Sequence, residues 1–349
     1  MKKILVTGGA GFIGSNFVRY LLKKEANIEI VNLDILAYAG SLENLKNLPD
    51  PERHYFIQGD ICDAELVGRL MREYKIDTIV HFAAESHVDR SILGPVPFVH
   101  TNVMGTTTLL EAARQAWSQG QNGHFHHIST DEVFGTLSAD DPAFNESTPY
   151  SPRSPYSASK VSSDHLVRAY FHTYDLPITI TNCSNNYGAY QFPEKLIPLI
   201  ILNAINGKAL PIYGDGLQIR DWLHVEDHCE AIYLVLKDGE MGETYNVGGG
   251  NQPTNLVLVN EICSILDTLQ PTAVPYSSLI SHIRDRLGHD RRYAIDTSKI
   301  EKKLGWKPRY TIADGLEKTV QWYLDNMDWV EKILKKKNYQ AWLDKNYQQ

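Results

Sequence analysis

Tyr156-Ser157-Ala158-Ser159-Lys160 sets a phenol and an ammonium four residues apart. On a helix these positions share one face, one turn apart. A free tyrosine hydroxyl titrates near ~10, and a cation beside it favours the phenolate. Such a pair can take a proton from an alcohol while a hydride leaves the same carbon. Ser129-Thr130-Asp131-Glu132 ends a strand-like run and sets two carboxyls side by side. Like charges so close disfavour ionising both. One protonated acid beside one ionised acid suits an elimination: the first donates to a leaving hydroxyl, the second removes a carbon-bound proton. Taken alone, the first motif reads as a surface Tyr and a solvated Lys, and the second as a solvated acidic turn.

A third motif reverses that weighing for the Tyr156–Lys160 pair. Gly8-Gly9-Ala10-Gly11-Phe12-Ile13-Gly14 follows one strand-like run and opens a helical one. Glycines let the backbone turn tightly and approach a pyrophosphate, and the helix N-terminus offers free N–H groups and a positive dipole end. The spacing is GxxGxxG. Asp34 lies twenty residues beyond Gly14, at the end of the second strand-like run. It can accept from both ribose hydroxyls, and no Arg follows it at once, which favours NAD over NADP. Gly59-Asp60-Ile61 places Asp60 where it could reach the adenine side.

The elements that must position these groups show in the hydrophobic periodicity. Strands are predicted over 3–7, 29–33, 77–83, 124–129 and 177–183. Helices are predicted over 14–24, 63–74, 97–117, 156–174, 226–237 and 256–269. Strands alternating with helices predict a parallel sheet with right-handed crossovers and covered faces. The fold class is α/β: a Rossmann-type, doubly wound parallel sheet with a smaller, loop-rich C-terminal substrate lobe. The NAD-binding domain is expected to span 1–187, with the chain returning to it around 221–247, and 188–349 mainly to form the substrate lobe.

Composition bounds the function. The 349 residues are 43% hydrophobic and 22% charged, with net charge -8, which provides material for a large core and no basic footprint for nucleic acid or anionic membrane. No apolar run reaches the ~18 residues of a membrane span. Gly8–Gly11 interrupts the N-terminal apolar run too early for a signal peptide. Cys62, Cys183, Cys229 and Cys263 form no CxxC and no metal spacing, so no metal is expected and a reducing cytoplasm fits.

Together these residues resemble the extended short-chain dehydrogenase/reductase family, and within it the branch of dTDP-glucose 4,6-dehydratases. The similarity runs along nearly the whole chain. It includes Gly8–Asn16, Ala83–Ser91, Ser129–Gly135, Tyr156–Lys160, Ser184–Gly188, Phe192–Pro198, Pro211–Gly216, Arg220–Trp222 and Gly288–Tyr293. The resemblance implies a lyase of deoxysugar biosynthesis with tightly bound NAD that is regenerated at each turnover. Tyr156 would be the base for C4–OH oxidation, with Lys160 holding the ribose and tuning Tyr156, and Thr130 would hydrogen-bond the C4 oxygen. Glu132 would take the C5 proton and Asp131 would protonate the departing C6 hydroxyl before the hydride returns to C6.

The resemblance also implies binding residues. NAD contacts would come from Gly8, Gly11, Phe12, Ile13, Gly14, Asp34, Ile35, Leu36, Ala37, Asp60, Ile61, Phe82, Ala83, Ala84, Glu85, Ser86, Thr101, Tyr156, Lys160 and Asn186. Nucleotide-sugar contacts would come from Ser86, Thr130, Asn185, Lys195, Leu196, Pro211, Ile212, Tyr213, Arg220, Asn255, Asp285, Arg286, Leu287, Gly288 and His289. Arg220, Lys195 and Arg286 suit a diphosphate. A homodimer through the helices at 97–117 and 156–174 is implied as well. The chain departs from the family pattern at Ala37, Asn182, Ala189 and Leu287, none of which removes a catalytic group. Two other readings compete: a nucleotide-sugar 4-epimerase, which needs no elimination acid, and a non-catalytic NAD sensor, which would be expected to lose Tyr156 or Lys160.

Overall fold

The short Ile/Val-rich runs become strands and the amphipathic runs between them become helices. The first half runs β1 (Lys3–Thr7), α1 (Phe12–Lys24), β2 (Glu29–Asp34), β3 (His54–Gln58), α2 (Ala64–Glu73), β4 (Thr78–His81), α3 (Val88–Leu93), α4 (Val96–Phe98), α5 (Thr106–Trp117), β5 (His124–Thr130), α6 (Pro155–Tyr174) and β6 (Ile178–Cys183). The second half runs β7 (Asn185–Tyr187), α7 (Leu196–Ile205), β8 (Leu210–Tyr213), β9 (Trp222–His224), α8 (Val225–Asp238), β10 (Thr244–Val247), α9 (Asn255–Leu269), β11 (Ile280–Ile283), α10 (Ser298–Leu304), α11 (Ile312–Asp325) and α12 (Met327–Leu334). The computed structural model describes residues 1–118, 123–285 and 289–335.

Seven strands form one sheet in the order β10–β6–β5–β4–β1–β2–β3, and every pairing in it is parallel. Side chains of a strand point alternately to opposite faces, so an unbroken apolar strand must be covered on both. In β1, Leu5 packs into the layer of α2 and α5, with Val67, Leu70, Leu109 and Ala113. Its neighbours Ile4 and Val6 pack into the opposite layer of α1 and α8, with Phe17, Val18, Leu21 and Ile232. All of these are buried; burying one such side chain stabilises by roughly 1.5–3 kcal/mol. A third core, around α7, α9, α11 and α12, holds the C-terminal elements together through Ile200, Ile201, Leu258, Ile262, Leu316 and Tyr323.

Strand order reverses at β1, with β2 on one side and β4 on the other. Open α/β sheets bind ligands at such a switch point, outside the carboxyl ends of the strands. The Gly-rich loop leaves β1 there, and Thr130 ends β5 two strands away.

The structure differs from the sequence reading in a few places. The helix expected at 97–117 is a short α4, a π-helical stretch over Val99–Gly105, then α5. The widened stretch carries Asn102, whose amide donates to the Glu85 carbonyl (3.0 Å) and to Ser159 Oγ (2.8 Å) and accepts from the Glu85 N–H (2.9 Å). One side chain thereby ties the loop after β4 to α6, and single π turns commonly mark such functional positions. Edge strand β3 escaped delimitation because its half-exposed His54, Tyr55 and Gln58 break the apolar pattern.

Candidate active site

The Gly8–Gly14 loop is shaped by close approach. Gly8 adopts φ 72°, and a Cβ on Gly14 would lie 2.4 Å from the Gly8 carbonyl oxygen. Both positions therefore need glycine. Helix α1 begins at Phe12 with no side-chain cap and no acidic residue in its first turn, which leaves its N–H groups and positive end available to an anion. Asp34 ends β2 and braces the loop: its carboxylate accepts from the Ala10 N–H (2.9 Å) and the Leu36 N–H (2.7 Å).

Gly8, Gly11, Phe12, Ile13, Gly14, Asp34, Ile35, Ala37, Asp60, Ile61, Phe82 to Ser86, Thr101, Thr130, Asp131, Glu132, Tyr156, Lys160, Asn185, Asn186 and Lys195 line one continuous cleft. Leu36 stands apart from that lining; its backbone turns left-handed (φ 57°) to reach Asp34.

The reactive groups gather where β5 ends. Thr130 is extended (φ -143°, ψ 153°) and caps the 3-10 turn Asp131–Phe134, accepting from the Glu132 N–H. The next carboxyl, Asp131, is 1% exposed, and its Oδ2 has no hydrogen-bond partner among the described residues. Burial pushes it well above the usual carboxylate range, and the charges of Glu132 and Asp221 push the same way against Arg220. Its surroundings thus favour the neutral acid.

Tyr156 and Lys160 sit one turn apart on α6, as their spacing requires, and both are buried. Burial also pushes the Tyr156 phenol well above its usual value; Glu132 adds to this, and a hydrogen bond with Thr130 opposes it. The Lys160 ammonium donates to the Ile128 carbonyl (2.8 Å) and lies 3.2 Å from His127 Nε2. Burial pulls it down to about 8, with Asp164 acting in the opposite sense. Burial therefore dominates the Tyr156 phenol, where the sequence alone suggested the neighbouring ammonium.

A second cleft opens toward the C-terminal lobe. Ser86, Glu132, Asn185, Lys195, Leu196, Pro211, Ile212, Tyr213, Arg220, Asn255 and His289 line it. Asp285 supports it from behind, 2.6 Å from His289 Nδ1. Arg286, Leu287 and Gly288 lie outside the described residues. The buried Oδ1 atoms of Asn185 and Asn255 have no partner among the described residues, which suits a polar ligand. Glu132, Ser86, Asn185 and Lys195 line both clefts. The two spaces therefore meet at Glu132, next to Asp131.

A clasp that short motifs do not announce spans the first cleft. The Arg90 guanidinium stacks 3.8 Å over the Tyr38 ring and bonds Glu194 at 3.2 Å. Tyr38 follows the ribose-side Asp34, whereas Glu194 belongs to the C-terminal half, and both line the cleft. Tyr293, which lines the second cleft, carries Arg220 4.4 Å over its ring.

Comparison with known proteins identifies the family. The family model for GDP-mannose 4,6 dehydratase matches residues 5–319. The dTDP-glucose 4,6-dehydratase of Shigella flexneri is 55% identical, with 99% of each chain covered. The chain belongs to the dTDP-glucose 4,6-dehydratase family. A crystal structure of the Streptomyces venezuelae member, with NAD and TDP bound, superposes with TM-score 0.87 at 48% identity over 95% of this chain and 99% of that one. The UDP-glucose 4-epimerase of Thermotoga maritima shares the fold (TM-score 0.82, 93% and 99% covered) at only 27% identity. Family membership thus places the chain with the dehydratases, and the epimerases are distant relatives.

Proposed function

We propose that the chain converts dTDP-glucose to dTDP-4-keto-6-deoxyglucose with NAD as a resident cofactor. One observation carries this reading: Asp131, 1% exposed and with an unpartnered carboxyl oxygen, stands next to Glu132, which lines both clefts. Epimerisation at C4 has no use for an elimination acid.

The first cleft fits a dinucleotide. The glycine turn leaves no room for Cβ atoms, the uncapped α1 terminus suits the pyrophosphate, and Asp34 suits the ribose. When bound, NAD supplies a hydride acceptor at C4 of the sugar and a donor at C6. Lys160 reaches the ribose side of the cleft and Thr130 orients the C4 oxygen, while Tyr156 takes the C4 hydroxyl proton. The new 4-keto group acidifies C5–H, which Glu132 removes. Asp131 gives its proton to the C6 hydroxyl, which leaves as water, and Glu132 then returns its proton to C5. In the second cleft, Arg220 and Lys195 hold the diphosphate, with Asn185 and Asn255 as polar contacts; Arg286, Leu287 and Gly288 complete this part of the proposal.

The test is incubation with dTDP-glucose and detection of the alkali-induced absorbance of a 4-keto sugar. A product that is only the C4-inverted sugar overturns the reading.

The clasp explains why NAD would stay through many turnovers. Arg90→Ala removes a cation–π contact of about 0.5–2 kcal/mol and a charge-assisted hydrogen bond of roughly 1.5–3 kcal/mol. NAD affinity is expected to fall by about tenfold or more. Protein purified from this variant should lose NAD on dialysis and depend on added NAD; undiminished NAD content would rule the clasp out.

We further propose a homodimer through α5, α6 and the stretch before them, where Val96, Val99 and Met104 are 74%, 51% and 55% exposed. Sedimentation at assay concentration checks it, and a monomer would refute it. A cytoplasmic site of action is consistent with four cysteines present as free thiols. No helix among the described residues is long and apolar enough to cross a membrane.

A further inference from the structure

The four-residue spacing that pairs Tyr156 with Lys160 continues along α6 to Asp164. All three therefore share one face of the helix, and Lys160 and Asp164 both find partners on β5. Asp164 takes no part in the chemistry proposed above. It is nevertheless 0% exposed, and Lys160 is 4% exposed. A buried charge is costly unless an opposite charge answers it. The oxidation step needs Lys160 as an ammonium, so the source of its counter-charge matters.

The direct partners of that ammonium carry no charge. It donates to the Ile128 carbonyl (2.8 Å) and lies 3.2 Å from His127 Nε2. Burial first, and then the Lys160 charge, pull the His127 imidazole down to about 4 against Asp164, so the ring is neutral near neutral pH. The same Nε2 lies 3.3 Å from Asp164 Oδ1. A neutral imidazole nitrogen that accepts from Lys160 has no proton left for Asp164. Asp164 Oδ1 accordingly has no hydrogen-bond partner among the described residues. It faces the cation across a single nitrogen, as a charge.

The other oxygen is anchored. Asp164 Oδ2 accepts from Ser129 Oγ (2.8 Å) and from the Tyr150 hydroxyl (2.9 Å), and Arg168 donates to that hydroxyl (2.8 Å). Burial works to raise the Asp164 acid, but His127, Lys160 and Ser129 outweigh it and hold it below the usual carboxylate range. Tyr156, the base that Lys160 serves, stands on the same helix. The titratable groups on the neighbouring strands are neutral. On β6 the Cys183 thiol is pushed up to about 12 by burial and by Asp131. On β4 the His81 ring stands 5.3 Å from His127, and burial pulls it well below its usual value.

We propose that Asp164 is a positioning residue for the oxidation step: the buried counter-charge that keeps Lys160 an ammonium at its station beside Tyr156. Asp164 stands outside the lining of both clefts, so it acts through Lys160, across His127. Without its charge Lys160 would shed its proton at lower pH, because a neutral amine costs less to bury than an unpaired ammonium. The consequence for oxidation rests on the dehydratase reading. The charge on Lys160 can be read without any substrate.

Lysine Cε resonances in carbon-13 NMR report that charge, with the Lys160 signal identified by its loss in Lys160→Met. In the wild type it should titrate at about 8. Asp164→Asn keeps the side chain's size and an acceptor for Ser129 and Tyr150. Its Lys160 midpoint should fall by about one pH unit or more. The alkaline limb of cofactor reduction on mixing with dTDP-glucose should move with it. That gives a roughly fivefold or greater loss at about pH 8 and a smaller loss at about pH 6. Asp164→Glu, which restores the charge, should return both midpoints toward the wild type. Coupling is reciprocal, so Lys160→Met should raise the midpoint of the Asp164 carboxyl, read from its Cγ resonance, with no change at Asp164 itself. An unmoved Lys160 midpoint in Asp164→Asn, or an unmoved Asp164 midpoint in Lys160→Met, overturns the proposal. So does an oxidation loss of equal size at every pH, the mark of damaged packing alone. A wild type whose Lys160 titrates as expected but which makes no 4-keto product instead overturns the dehydratase reading and supports the counter-charge.

Discussion

Asp131→Asn is expected to lower formation of the 4-keto-6-deoxy product by roughly 10²–10⁴-fold, the usual contribution of a positioned acid. An amide keeps the size of the carboxylic acid but has no acidic proton to give to the C6 hydroxyl. Oxidation at C4 depends on Tyr156 and should persist. The substituted enzyme should therefore show the absorbance of reduced nicotinamide on mixing with dTDP-glucose, while releasing little product. Failure to reduce the cofactor would reassign Asp131. The pH dependence has a definite sign. Burial and the charges of Glu132 and Asp221 raise the Asp131 acid well above its ordinary value. Its protonated, active form thus survives to higher pH than a solvated aspartic acid would allow, and elimination should fall as pH rises through the raised value. That limb should vanish from the elimination step of Asp131→Asn.

Tyr156→Phe is expected to abolish the earlier step with a comparable loss of roughly 10²–10⁴-fold in kcat. Phenylalanine fills the buried space with no group to accept the C4 hydroxyl proton. Here both reduced cofactor and product should be missing, while NAD content stays at the wild-type level. Normal cofactor reduction would exclude Tyr156 as the base. The two variants therefore separate oxidation from elimination by one optical signal. The cation beside Tyr156 adds a further limb: Lys160 is pulled down to about 8, so the oxidation step loses its ammonium as pH climbs past that value.

The features readable in the sequence were those set by local geometry. The glycine spacing, the Tyr156–Lys160 interval and the position of Asp34 follow from turn sterics, the helical period and strand length. These constraints act over a few residues and appear as patterns. The strand–helix alternation likewise implied a parallel sheet because parallel neighbours need crossovers. The β3 edge escaped because half-exposed strands lose the apolar signature, and the π-helical stretch before α5 has none.

The clasp was invisible for a different reason. Arg90 and Glu194 are 104 residues apart in the chain, and neither belongs to a motif whose spacing reports the contact. Glu194 and Tyr293 stood within stretches resembling the family, yet only folding placed them in the clefts.

By itself the sequence determined the parts list: a phosphate-cradling turn, a ribose carboxylate, a Tyr–Lys pair and two adjacent acids. Tertiary structure alone gave the two acids different surroundings. The two carboxyls are neighbours in sequence, but Asp131 is buried among Glu132, Asp221 and Arg220, which favours its neutral form, whereas Glu132 lines both clefts. Desolvation depends on everything packed around a group, including segments far along the chain, so no local pattern could encode it.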